Sequence, residues 1–228
     1  MMTTLRAAFH FYSRHIEYLM ILSFSILLPL LFIQVGVSNY VYRVYQGTPF
    51  TFFGDISNSF FMFFILVLAQ IPFIRYVWGD LEGEERKLRS AYLTFFERGL
   101  SIYGFGILYV IATMLGSVLF IAPGLIVLVF FFLTPYVSVI KDKPASKSWR
   151  EAVRWGKQKF FPLLGIVLLI SVVDWLLGFV TMVGISMVTK NYGAILGSQL
   201  LVSLLCFPFL VIYMTLHFQK WLEDSAGL

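Results

Sequence analysis

The chain has 228 residues, of which 59% are hydrophobic, 18% aromatic and only 13% charged. Soluble domains run nearer about 45–50% apolar and about 25% charged, so an ordinary globular, disordered or collagen-like chain is excluded. A net charge of +5, from 17 Lys and Arg against 12 Asp and Glu, is too small and scattered for a nucleic-acid surface, and the lone Cys206 excludes a disulfide scaffold.

A helix crosses the hydrocarbon core with about 20 apolar residues. Six runs qualify in chain order, at 16–38, 56–78, 100–121, 124–140, 161–188 and 194–217. The first is longer than a signal-peptide core and no small-x-small cleavage site follows it, so it is expected to be a retained span. Ala122, Pro123 and Gly124 are all that separate the third run from the fourth, which predicts a tight turn there. Stretches such as FFMFFILVLA lack the alternation of a barrel strand. The prediction is an all-α membrane protein, a single polytopic domain over 1–228 with six transmembrane helices.

Lys and Arg set the orientation. Fifteen of them fall on the side of the termini, from Arg6 and Arg14 to Lys220, and only Arg43 and Lys190 fall on the other. Both termini are therefore expected in the cytoplasm. Tyr40, Tyr42 and Tyr45 suit the outer aromatic belt, and Trp78, Trp149, Trp155 and Trp221 the inner one.

Three stretches share a pattern before an outward-going span: LRAAFHFYSRHI from Leu5, LRSAYLTFFERG from Leu88 and WREAVRWGKQKF from Trp149. Each has an Arg (Arg6, Arg89, Arg150) followed two positions later by Ala (Ala8, Ala91, Ala152). Each returning span carries a proline before an aromatic ring: Pro72-Phe73, Pro135-Tyr136 and Pro208-Phe209. The pattern predicts three pseudo-repeated hairpins, at about 5–78, 88–140 and 149–217, with cytoplasmic amphipathic helices. Pro72, Pro135 and Pro208 are expected to kink their helices and free the carbonyls of Leu68, Phe131 and Leu204. Such kinks either line a polar vestibule or serve packing alone.

The third surface helix reads as opening with a capping box, Ser148-x-x-Glu151. Apolar Trp149, Ala152, Val153 and Phe160 lie on one side, and Lys147, Arg150, Arg154 and Lys157 on another, which predicts an interfacial helix touching anionic phospholipid. The acidic run Asp80, Glu82, Glu84 and Glu85 has no calcium-loop spacing and reads as a self-neutralising loop.

Asp174 is the one acid deep in a span. A charge at that depth costs about 2.5–3.5 kcal/mol on insertion scales, so it must face protein or water, or hold a proton. Thr113, Ser203 and Tyr109 are its candidate partners. It serves either a relay or ligand contact, or a hydrogen bond between helices. Gln34, Gln70 and Gln199 give milder versions of that signal, and Gly193-x-x-x-Gly197 suggests close helix approach. His10, His15 and His217 could converge at the cytoplasmic interface, but their spacing matches no metal motif. No catalytic or cofactor motif is present, so no catalytic residue, metal or cofactor is assigned.

The stretch from Ile121 to Leu169 combines Pro123-Gly124, an apolar span, Pro135, and Ser148-Trp149-Arg150 opening a basic helix. It resembles the YciC-like bacterial inner-membrane proteins and the membrane domain attached to some glycerophosphoryl diester phosphodiesterases. The resemblance implies a polytopic protein of the bacterial cytoplasmic membrane, and no phosphodiesterase activity is expected of these 228 residues. The expected role is non-enzymatic, in envelope or lipid homeostasis through contact with anionic membrane phospholipid. A small transporter or channel subunit using Asp174 and the kinked helices is the alternative, and an assembly partner for another membrane protein, or for a second copy, is a third.

Overall fold

The computed structural model describes residues 2–119 and 121–226, and every element among them is helical. A short helix α1 (Met2–Arg14) bends at His15 into the first long helix. That helix has three parts: α2 (Ile16–Leu22), a π-helical turn at Ser23–Leu27, and α3 (Leu28–Tyr45). Then follow α4 (Phe52–Leu81), α5 (Lys87–Leu119), α6 (Ile121–Phe132), α7 (Thr134–Ile140), α8 (Ala145–Gln158), α9 (Phe160–Val188) and α10 (Tyr192–Ala226). Six helical segments are long and apolar enough to cross a membrane, with α6 and α7 together forming the fourth. Most extend past the apolar runs because Lys, Arg, Glu and Gln continue a helix readily once it leaves hydrocarbon.

The segment from Leu88 differs from its two counterparts. It is continuous with α5, whereas bends set α1 and α8 apart from the spans that follow them. Pro123 and Gly124 also differ from expectation. They lie inside the first turn of α6, where a missing N–H costs nothing, and so do not form the connection.

The prolines act in two ways. Pro72 and Pro208 sit inside continuous helices, but Pro135 ends one helix and opens the next, with Leu133 at the break. Pro208 cannot donate to the Leu204 carbonyl, and that oxygen instead accepts a hydrogen bond from Ser23 Oγ at 3.2 Å. Ser23 opens the π-helical turn, so an irregular backbone on one span meets an irregular backbone on another. Next to it the Tyr12 hydroxyl donates to the Leu205 carbonyl at 3.0 Å, tying α1 to α10.

The core is unevenly distributed. Two thirds of the apolar stretch of α4 is buried (67%), against 11% of that of α9. α4 is the hub, in contact with α3, α5, α7 and α10. α9 is peripheral and packs on α10, α6 and α8.

Close helix approach occurs where glycines face backbone. A Cβ at Gly116 would stand 3.1 Å from the Gly124 Cα, drawing α5 and α6 together. A Cβ at Gly156 would stand 2.8 Å from the Phe130 Cα, so α8 lies directly on the α6 backbone. Gly197 meets nothing within 4 Å and Gly193 meets only Asn191, so Gly193-x-x-x-Gly197 brings no helix of this chain close.

The capping box expected at Ser148 is absent. Pro144 occupies the N-cap, four residues before the expected one, leaving Ser148 buried with its hydroxyl donating to the Pro144 carbonyl at 3.1 Å. Proline suits a helix start, and the serine then behaves as a mid-helix back-bonding residue. Glu151 pairs instead with Lys141.

Two outcomes test this packing. Gly156→Ala should lower stability in detergent by about 1–3 kcal/mol through backbone overlap, while Gly197→Ala should stay within about 0.5 kcal/mol of wild type. Ser23→Ala should cost about 1 kcal/mol, and nearly nothing in a Pro208→Ala background, where the restored N–H serves the Leu204 carbonyl. Thermal unfolding of the four chains of that cycle measures the coupling.

Candidate functional site

Asp174 is the middle residue of the 29-residue α9, so at 1.5 Å per residue it lies about 21 Å from either end. It faces a cavity of ≈ 560 Å³ bounded by the first, second, fourth, fifth and sixth long helical segments. The lining is apolar apart from Gln34, Gln70, Tyr136, Ser171, Asp174 and Ser203. Among the described residues Asp174 forms neither a hydrogen bond nor an ion pair, and no Lys, Arg or His shares the lining.

Of the three expected partners, only Ser203 shares the cavity with Asp174. The Tyr109 hydroxyl donates to the Leu128 carbonyl at 2.9 Å, and Thr113 Oγ1 donates to the Tyr109 carbonyl at 2.9 Å. Both groups serve the α5–α6 pair. Gln34 also lines the cavity, where its amide donates to Asn58 Oδ1 at 3.3 Å. Gln199 lies outside the lining.

Gln70 is the residue whose importance sequence reading understates. It is 2% exposed, it lines the cavity, and its amide oxygen has no hydrogen-bond partner among the described residues. A buried acceptor without a donor costs about 1–3 kcal/mol, so a ligand donor at this place would be favoured. Ser38, Thr134 and His217 also hold a buried atom without a partner, but none of them lines the cavity. The sequence signal was a glutamine two residues before a proline in the most buried helix, which alone does not separate a site from interhelical glue.

The other expected site residues are spread over the surface of the terminal end. Lys147, Arg150, Arg154 and Lys157 are all exposed, and among the described residues none pairs with an acid. Arg150 lies over the Trp149 ring, 5.4 Å from its centroid. The rings of α8 turn partly inward: Trp155 is buried against Phe218, with centroids 5.7 Å apart. Three acids of the acidic run are paired locally, Asp80 with Lys87 and both Glu82 and Glu84 with Arg75, while Glu85 has no such pair among the described residues.

The three histidines do not gather; among the described residues no group of His, Cys, Asp or Glu could hold a metal ion. His15, at the bend between α1 and α2, is buried and stacked on Phe11 with centroids 4.4 Å apart. Its Nδ1 is 2.9 Å from the Tyr76 hydroxyl and its Nε2 is 3.8 Å from Asp80 Oδ1. Burial holds its pKa below the ordinary 6.5, helped by Lys87 and Arg14 and opposed by Asp80.

No protein-family model, curated protein or solved structure matches the chain. The functional reading rests on the cavity and the surfaces described above.

The His15 geometry has a pH consequence. The folded protein keeps this ring neutral, so the unfolded chain takes up its proton first as pH falls through 6.5. Stability should therefore decline as pH drops below that value, toward the lowered folded-state pKa. Thermal unfolding between about pH 7.5 and about pH 5.5 should show a shallower decline for His15→Gln than for wild type. Equal slopes would remove His15 from the explanation.

Proposed function

We propose that this is a non-enzymatic multi-pass protein of a bacterial cytoplasmic membrane that binds a small ligand at Asp174, as a carrier or channel subunit does. The observation that supports the reading most is an acid at the middle of α9, on a cavity wall, without a partner. Intramembrane carboxylates are costly, and they persist where they meet a pathway or a ligand. A role as interhelical glue would require a bond to a neighbouring helix, and Asp174 makes none among the described residues.

The reading includes three pseudo-repeated hairpins with both termini in the cytoplasm. Burial supports the repeat. Ala8, Ala91 and Ala152 are each 0% exposed, Arg6, Arg89 and Arg150 are each exposed, and the three prolines are all buried. The excess of Lys and Arg at the terminal end supports the orientation. The break at Pro135 and the irregular pair Ser23–Pro208 would give the cavity walls room to shift.

A second reading is contact with anionic phospholipid in the service of envelope or lipid homeostasis, as the YciC-like resemblance suggests. It is favoured by the four exposed cations of α8, Lys147, Arg150, Arg154 and Lys157, none of which pairs with an acid among the described residues. Each contributes about 1 kcal/mol at most near an anionic leaflet. A membrane-protein partner would fit the outer half of the α9–α10 hairpin, which little of this chain covers.

Native mass spectrometry of the protein extracted in mild detergent separates these readings. The cavity reading expects a discrete bound species that is lost in Asp174→Asn and retained in Arg150→Ala with Arg154→Ala. Loss in the arginine pair alone would move the site to α8. Diffuse adducts unchanged by either substitution would contradict both.

A further inference from the structure

We infer that the cavity selects a lipophilic ammonium compound, a monocation with an apolar body, and admits it sideways from the hydrocarbon. The inference rests on the cavity reading above and names the class of ligand and its route.

The charge follows from the lining. One carboxylate stands on the wall, no basic side chain shares it, and Asp174 has no partner among the described residues. The second unsatisfied group is also an acceptor, the Gln70 amide oxygen on a residue 2% exposed. An ammonium group brings a positive charge and several N–H donors, which are what an unpaired acid and an unpaired amide oxygen on one cavity wall lack. A fatty acid would set two carboxylates together. A zwitterionic phospholipid would leave its phosphate without a cation. A neutral alcohol brings a donor but no charge, and leaves the acid to hold its own proton.

The route follows from the rim. Met62 and Trp175 line the cavity and are 56% and 66% exposed, at a depth where the surroundings are hydrocarbon. Every residue from Ser171 to Leu177 is exposed, so all faces of α9 are thinly covered over two turns. The helix leans on α10, α6 and α8, and the cavity separates it from α3 and α4. The mouth therefore faces lipid tails, and a ligand must partition into the bilayer before it binds. The remaining lining, with Phe132, Phe207 and Trp175, suits its apolar body.

Octadecylamine, octadecanol and octadecanoate serve as probes in phosphatidylcholine nanodiscs holding the full chain, with retained probe counted by native mass spectrometry. With a net charge of +5, general surface attraction favours the acid, so retention of the amine reports a local site. The expected result is one amine per chain, with little alcohol or acid. Asp174→Asn should weaken retention about 10- to 100-fold, and Asp174→Glu should keep most of it. Arg150→Ala with Arg154→Ala should leave it unchanged, and unaltered thermal unfolding of Asp174→Asn shows that its fold is intact. Should that variant not fold, Gln70→Leu is read the same way and should also weaken retention. Equal retention of amine and alcohol, or of amine by wild type and Asp174→Asn, overturns the charge selection while leaving a cavity binder. Retention of none of the three overturns both.

Discussion

A bilayer interior offers no water to a stray carbonyl or amide, so each polar group placed there must find its partner inside the protein. Much of this molecule obeys that constraint. The Leu204 carbonyl, left without a donor by Pro208, is met by Ser23, and its neighbour at Leu205 is met by Tyr12. Tyr109 caps the Leu128 carbonyl, and Thr113 and Ser117 each bond back one turn along α5. Against this background the unpartnered groups at Asp174 and Gln70 stand out, because they meet at one cavity.

The same polar ties explain why the cavity lies where it does. Bonds from Ser23 and Tyr12 pin α10 to the first span and to α1 near the terminal end. Leu163 and Ile166, the buried residues of α9, lie in its first third, also near that end. Beyond Ile166 only Val167 and Ile170 of α9 pack, half-buried, against the core, and a cavity lies between α9 and the hub helix α4. An apolar side chain at position 174 would have no reason to preserve this gap. A carboxylate does, since closing lipid or protein over it without a partner costs several kcal/mol.

What was legible in the sequence was what depends on local composition. Six apolar stretches predicted six crossing helices, and the deepest acid marked the cavity wall at Asp174. Pairings between distant segments were hidden. Nothing at Pro208 says that Ser23 will meet the carbonyl it frees, because Ser23 and Leu204 are 181 apart in the chain. Gly193 and Gly197 match the Gly-x-x-x-Gly pattern and, among the described residues, a Cβ at either meets no other helix, whereas Gly116, Gly124 and Gly156 belong to no Gly-x-x-x-Gly pair and bring backbones together. Spacing cannot tell which face of a helix a glycine will occupy in the bundle. Ser148 misled for a related reason: a serine three residues before a glutamate fits a cap, but Pro144 already starts the helix. The cavity also needs five helical segments to converge, and a list of spans does not rank Gln70 above Gln199.

The central claim is that the unsatisfied groups around Asp174 are held for a ligand. An experimental density map of the protein, extracted with its surrounding native membrane, tests this most directly. The account predicts discrete density in the cavity, within hydrogen-bonding distance of the Asp174 carboxylate and the Gln70 amide. A closed cavity, with Asp174 bonded to Ser203 or to Gln70 across the former gap, would contradict it and make the acid a structural tie between helices.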